Sequence, residues 1–260
     1  MNRKKKQGEE DHVLRFAVLT VIVLFVIGAV VVGIKMLNPR VDASEGRKKL
    51  EELNKADVEK IDEKIQELEK AEIQADEERQ NRPNNEKFAG CLVLGDSITQ
   101  GLYEYNVLDE SLVIATKGVE VHRPDATGLT EILDKAVQAA PQKVFLAFGM
   151  NDVEADSGDA DVFVRDYKEV LDRIRKELPD TVIFVNSILP ANQYAVGKTP
   201  AYENIPAFNQ ALEELCREEG AIFIDNTDIV KEEYYEEDGV HMKADYYPVW
   251  TEHMVEVAEL

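Results

Sequence analysis

From residue 88 onward, short apolar runs alternate with longer segments of helical period, and that alternation leaves few architectures open. The runs are Cys91–Leu94, Leu112–Ala115, Val144–Phe148, Val182–Val185 and Ala221–Ile224. Helical segments follow at Leu129–Ala139, Val162–Leu178, Ala207–Glu219 and from Lys243. Short unbroken apolar runs are strands buried on both faces, and strands separated by helices pair in parallel. The expectation is an α/β domain over 88–260: a five-stranded parallel sheet between two helical layers, with length enough for one core. In such sheets ligands bind beyond the carboxyl ends of the strands. The polar residues directly after each run therefore carry most of the functional information.

The first third of the chain reads differently. Phe16 to Ile34 holds no charged residue. As a helix this run would span about 28 Å, close to the thickness of bilayer hydrocarbon. Arg3, Lys4, Lys5, Lys6 and Arg15 precede it, against Lys35 and Arg40 after it. The heavier basic flank predicts a cytoplasmic tail over 1–15, a retained single-pass anchor over 16–37 and an extracellular C-terminal domain. The run is longer than a signal-peptide core, which weighs against cleavage. Residues 38–87 read as a charged helical stalk and linker. Val58, Ile61, Ile65 and Leu68 follow coiled-coil spacing for about two heptads, enough for a weak homodimer at most. Asn81-Arg82-Pro83-Asn84-Asn85 ends the helix.

The chain carries 52 acidic and 30 basic residues, for a net charge of −22, and nearly all the excess falls after residue 88. Such a domain repels nucleic acid. Its two cysteines, Cys91 and Cys216, lie in apolar segments and read as buried free thiols. No cysteine or histidine spacing typical of a metal site occurs.

At the strand ends stand four groups of polar residues. Gly95-Asp96-Ser97 follows the first run; read alone, its serine is an ordinary helix N-cap or a hydroxyl presented in the crevice. Gly118 follows the second, where a glycine lets a backbone N–H approach a ligand. Gly149-Met150-Asn151-Asp152 follows the third: Asn151 can donate to a developing negative charge, and Asp152 reads as a loop-organising carboxylate. Asp238-Gly239-Val240-His241 precedes the last helix. Carboxylate and imidazole three residues apart on one loop let the acid hold one ring nitrogen while the other faces a hydroxyl. His122 reads as a surface residue, and His253 falls in the last helix.

In this order the four groups resemble the sequence blocks of the SGNH hydrolases, also called GDSL-type esterases and lipases, over roughly residues 88–258. The resemblance implies a flavodoxin-like sheet of strand order 2-1-3-4-5. It implies Ser97 as nucleophile, His241 as base and Asp238 as its orienting acid, with an oxyanion hole from the N–H groups of Ser97 and Gly118 and the Asn151 amide. The family often carries an asparagine shortly before the second glycine, where this chain has Ala115-Thr116-Lys117. No metal or organic cofactor is implied.

The expected function is that of an extracytoplasmic serine esterase acting on a small acyl ester or an O-acetylated glycan of the envelope or surroundings. Acyl transfer to a sugar hydroxyl and lysophospholipase activity would use the same residues. A non-catalytic, membrane-tethered binding or scaffold module is the alternative from another class. The segment Pro190–Pro206 is long enough to shape a pocket. Tyr234, Tyr235, Tyr246, Tyr247 and Trp250 read as a sugar platform or, more simply for Tyr247 and Trp250, as packing of the last helix.

Overall fold

A computed structural model describes residues 19–32, 44–54, 58–155 and 159–260. Residues 19–32 form a helix, α1, with every side chain exposed, Phe25 at 80 %. The basic tail and the ends of the expected anchor over 16–37 lie outside the described residues. Among the described residues no helix is long and apolar enough to cross a membrane. The expected stalk is represented by α2 (Ser44–Asn54) and α3 (Val58–Gln80), with 38–43 and 55–57 outside the described residues. Ile61, Ile65 and Leu68 are exposed along α3. The linker is shorter than the sequence suggested. Pro83, at φ −55°, leads straight into a helical turn, α4 (Asn84–Lys87), because that φ already suits a helix start.

Beyond Phe88, β1 (Cys91–Gly95), α5 (Ser97–Glu104), β2 (Val113–Ala115), α6 (Pro124–Thr127) and α7 (Leu129–Ala139) come first. The middle holds β3 (Lys143–Ala147), α8 (Met150–Ala155), α9 (Ala160–Glu177) and β4 (Val182–Asn186). Last come α10 (Gln193–Lys198), α11 (Ile205–Glu219), β5 (Ile222–Ile224) and α12 (Tyr246–Ala258). All pairings are parallel, in the order β2-β1-β3-β4-β5. Every residue of β1 is buried, so both faces of the sheet are covered. Phe163 of α9 packs on Phe208 of α11, with ring centroids 5.0 Å apart, in one helical layer. In the sheet itself Phe145 stacks on Phe184 at 4.8 Å. Each fully buried side chain of this size contributes about 1.5–3 kcal/mol relative to exposure. Cys91 and Cys216 are buried free thiols.

The register decides where the functional loops emerge. Gly95 lies opposite Ala115 on one side and Ala147 on the other. The three strands therefore end level, and the loops carrying Ser97, Gly118 and Asn151 leave the sheet side by side.

Helix starts differ from the periodicity by two or three residues, each for a local reason. Asp159 caps α9 through the N–H groups of Asp161 and Val162, so the helix opens at Ala160. Helix α11 opens at Ile205 with Pro206 in its first turn. Helix α12 begins at Tyr246 rather than Lys243. Met242 pairs with Tyr235 in an antiparallel bridge and the Lys243 N–H donates to Tyr234 O at 2.7 Å, which holds that backbone out of the helix.

Candidate active site

The turn after β1 is tight. A side chain at Gly95 would run into Thr99 and come within 2.7 Å of Ala147 O, so only glycine lets β1 pass directly into α5. Asp96 is the N-cap of α5, its Oδ1 accepting from the Ile98 N–H at 2.9 Å. The cap is thus Asp96 and not Ser97, which leaves the serine hydroxyl free for another partner. That partner is His241: Ser97 Oγ lies 2.9 Å from His241 Nε2.

His241 Nδ1 is 2.6 Å from Asp238 Oδ2, and Asp238 Oδ1 accepts from the N–H groups of Val240 and His241, each at 2.9 Å. A carboxylate only accepts, so Nδ1 carries the ring proton and Nε2 is left to accept from the serine. Partial burial pushes the Asp238 carboxyl up, but the Val240 N–H, the His241 ring and the His241 N–H outweigh it. The carboxyl ends up below its ordinary range. Asp96 shows the opposite outcome. Burial pushes its carboxyl up to about 6, against N–H bonds from Ile98 and Thr99 and the nearby His241.

Gly118 turns at φ +74°, with open space where a side chain would stand. The Asn151 amide donates to Val119 O at 3.1 Å and reaches Asp96 Oδ2 at 3.5 Å. Asn151 therefore bridges the serine turn and the Gly118 loop. The 3.5 Å contact is at the limit of a hydrogen bond, so the second amide hydrogen is only weakly held. Fully buried Asp152 organises the same loop, its Oδ1 accepting from Val121 N at 2.8 Å and His122 N at 3.1 Å. The structure thus gathers the predicted Ser97, Asn151, Asp238 and His241, with Gly118 in the adjoining loop. It does not bring in His122, whose half-exposed ring pairs with Asp166 at 2.7 Å. His253 Nδ1 bonds Asn226 Oδ1 at 3.0 Å instead.

The five aromatic residues near the C-terminus are all buried, Tyr234 being the most exposed at 9 %; they form packing, not a sugar platform. Tyr246 and Trp250 stack at 5.9 Å. Among the described residues no group of histidines, cysteines and carboxylates could hold a metal ion.

The sequence predicts a loop over Pro190–Pro206. The segment contains α10 and a 3-10 turn at Pro200–Asn204, and it walls a cavity of about 510 Å³ with Tyr202, Glu203, Phe223 and Asp225 in its lining. Ser97, Asp238 and His241 do not line this cavity, which lies beyond the carboxyl ends of β4 and β5. Asn192 in this segment caps α10. Asparagine ahead of a helical run is a legible cap signal, but its contacts with the Asp238–His241 loop cross 40 residues or more and have no local signature.

A sequence profile described as the GDSL-like lipase/acylhydrolase family matches residues 93–247. No curated protein is similar enough in sequence to count as a relative. Among solved structures, a GDSL-like lipase from Bacteroides thetaiotaomicron superposes with a TM-score of 0.52 at 18% identity, covering 65% of this chain and 87% of that one. The lipase/acylhydrolase from Enterococcus faecalis gives 0.51 at 18% identity over 64% and 93%. A carbohydrate esterase family 3 protein from Talaromyces cellulolyticus gives 0.50 at 15% identity over 65% and 98%. At these identities the superpositions establish a shared fold.

Proposed function

The chain belongs to the GDSL-like lipase/acylhydrolase family, and from that premise we propose that it is a serine esterase using Ser97, His241 and Asp238 on small acyl esters. The observation that carries this reading is the unbroken relay from Ser97 Oγ through His241 to Asp238, with spacings of 2.9 and 2.6 Å. Ser97 Oγ attacks the ester carbonyl as Nε2 takes its proton, and the carbonyl π-electrons move onto oxygen. The Ser97 and Gly118 N–H groups and the Asn151 amide receive that charge. Collapse expels the alcohol, which takes the proton from His241, and leaves an acyl-serine. Water, deprotonated by the same ring, then releases the acid and restores the serine.

The substrate reading is an O-acetyl group on an envelope or environmental glycan. It is supported by the fold shared with a carbohydrate esterase and by an acidic domain that suits neutral more than anionic substrates. The location reading is a membrane-tethered domain outside the cell with its N-terminus cytoplasmic. It is supported by the uncharged run Phe16–Ile34, its basic N-terminal flank and the exposed apolar side chains of α1. A weak dimer through the exposed Ile61, Ile65 and Leu68 of α3 is the assembly this reading allows.

The test is hydrolysis of p-nitrophenyl esters by the full-length chain and by Ser97→Ala. Loss on the order of a million-fold in turnover is expected for the variant, with acetate preferred to longer acyl chains. Equal rates for the two folded proteins would refute the esterase mechanism, and faster hydrolysis of long chains would refute the acetyl specificity.

A further inference from the structure

The relay to Ser97 depends on a loop that is itself well exposed, the side chains of His241 and Asp238 being 41 % and 52 % accessible. Its internal bonds, Glu236 N to His241 O at 2.8 Å and Gly239 N to Glu236 O at 3.1 Å, close it on itself but do not fix where it stands. We propose that Asn192 is the positioning residue that holds this acid–base loop against the serine, an inference that rests on the Ser97–His241–Asp238 reading above.

Asn192 reaches the loop and the segment leading into it through its backbone and side-chain N–H donors. Its backbone N–H donates to Gly239 O at 2.9 Å, between the acid and the base. Its amide Nδ2 donates to Glu232 Oε1 at 3.1 Å, on the segment leading into the loop. Its Oδ1 caps α10, accepting from the N–H groups of Tyr194 and Ala195, both at 3.1 Å. The cap fixes the rotation of the amide, and a fixed amide is what lets the other face reach Glu232.

The fit at Gly239 is close. This residue turns at φ +76°, and a side chain there would collide with the Asn192 amide and come within 3.1 Å of Ala195 Cβ. The start of α10 is therefore seated directly on the turn between Asp238 and His241. The Tyr235 hydroxyl adds a second tie to the same segment, donating to Pro190 O at 2.6 Å, but it is Asn192 that touches the turn itself. A residue serving only as a helix cap needs its oxygen alone. Asn192 uses the oxygen for the helix and both nitrogens for the loop.

The experiment compares kcat, KM and the pH dependence of kcat/KM on p-nitrophenyl acetate for the full-length chain, Asn192→Ala, Asn192→Ser and Ser97→Ala, with a thermal melt of each. Misplacing a reacting group costs up to about 100-fold, so Asn192→Ala should lose about tenfold in kcat with KM within about twofold of the parent. The acid limb of its kcat/KM profile should move, and Asn192→Ser, which keeps a capping oxygen but lacks the Nδ2 donor to Glu232, should stay below the parent in kcat. An Asn192→Ala protein that melts earlier yet matches the parent in kcat and pH profile while folded would overturn the proposal, leaving Asn192 as a stabiliser of α10. Should Asn192→Ala not fold, Asn192→Ser and Glu232→Ala decide: reduced kcat in either supports the proposal, and parental kcat in both overturns it. Ser97→Ala separates the two claims. Its full activity would refute the triad itself and the proposal with it, whereas an inactive Ser97→Ala beside a fully active Asn192→Ala removes Asn192 alone.

Discussion

Asp96 and Asp238 each stand close to one end of the Ser97–His241 contact, and they are opposite in environment. Asp96 is 3 % exposed; the Asp238 side chain is 52 % exposed. Burial works against the charge of both, yet one carboxyl is pushed up to about 6 and the other is held below its usual range. The difference lies in what surrounds the oxygens. Both oxygens of Asp238 accept short bonds, two from backbone N–H groups and one from the ring it orients. Asp96 Oδ1 caps α5, and its Oδ2 lies 3.5 Å from the Asn151 amide, at the limit of a hydrogen bond. The pair teaches that the anion needed beside the imidazole is secured by local hydrogen bonds on a solvated loop. The Asp96 carboxyl beside Ser97 is a packing and capping group whose burial works against its charge.

That contrast can be broken at either end. The largest effect is expected for Asp238→Asn, which keeps the shape but presents the ring with an amide and the wrong tautomer. Turnover should fall by about 10,000-fold with little change in folding. A modest loss would mean that the exposed aspartate does not orient the base. Next comes Asn151→Ala, which removes the proposed oxyanion donor and the bridge between Asp96 and the Gly118 loop. About 100- to 1000-fold in kcat should be lost, and near-normal turnover would take Asn151 out of the hole.

The smallest effect sharpens the other half of the comparison. The Asp96 carboxyl titrates higher in the folded chain, at about 6 against an ordinary 3.8. Between those values the native state binds more protons than the unfolded state, so this group's contribution to stability falls as pH rises through the window. Asp96→Asn cannot titrate and keeps an oxygen for the Ile98 N–H. Its stability relative to the parent should therefore be about 2 kcal/mol higher at pH 7.5 than at pH 4.5, read by urea unfolding at both pH values. An equal difference at both would show that Asp96 titrates as an exposed carboxyl does. Asp238 runs the other way: with its carboxyl depressed, it stabilises the fold above the ordinary carboxylate range and loses that contribution as pH falls through its own value.

How much of this was legible follows the same division between local and distant contacts. The buried strands announced themselves as unbroken apolar runs, and Leu129–Ala139 matches α7 at both ends because its amphipathic period is a local property. The four polar blocks were legible as a set because their order resembles that of the SGNH hydrolase blocks, each piece alone being ambiguous. The identity of the α5 cap was not: Asp96 and Ser97 are both good capping residues, and only the His241 contact from 144 residues away shows which is free. Helix α12 starts three residues later than the periodicity predicts, because the Lys243–Tyr234 bond that delays it joins segments the periodicity does not compare. The six-residue α10 within Pro190–Pro206 is too short for a periodic signal. Its seat on Gly239 depends on a contact across 47 residues.

The central claim is that Ser97 is a nucleophile activated by His241. It is tested most directly by treating the full-length protein with a fluorophosphonate and locating the adduct by mass spectrometry of the intact and digested chain. The account predicts one adduct, on Ser97, absent in Ser97→Ala and much slower to form in His241→Ala. An unmodified Ser97, or labelling at the same rate without His241, would contradict it.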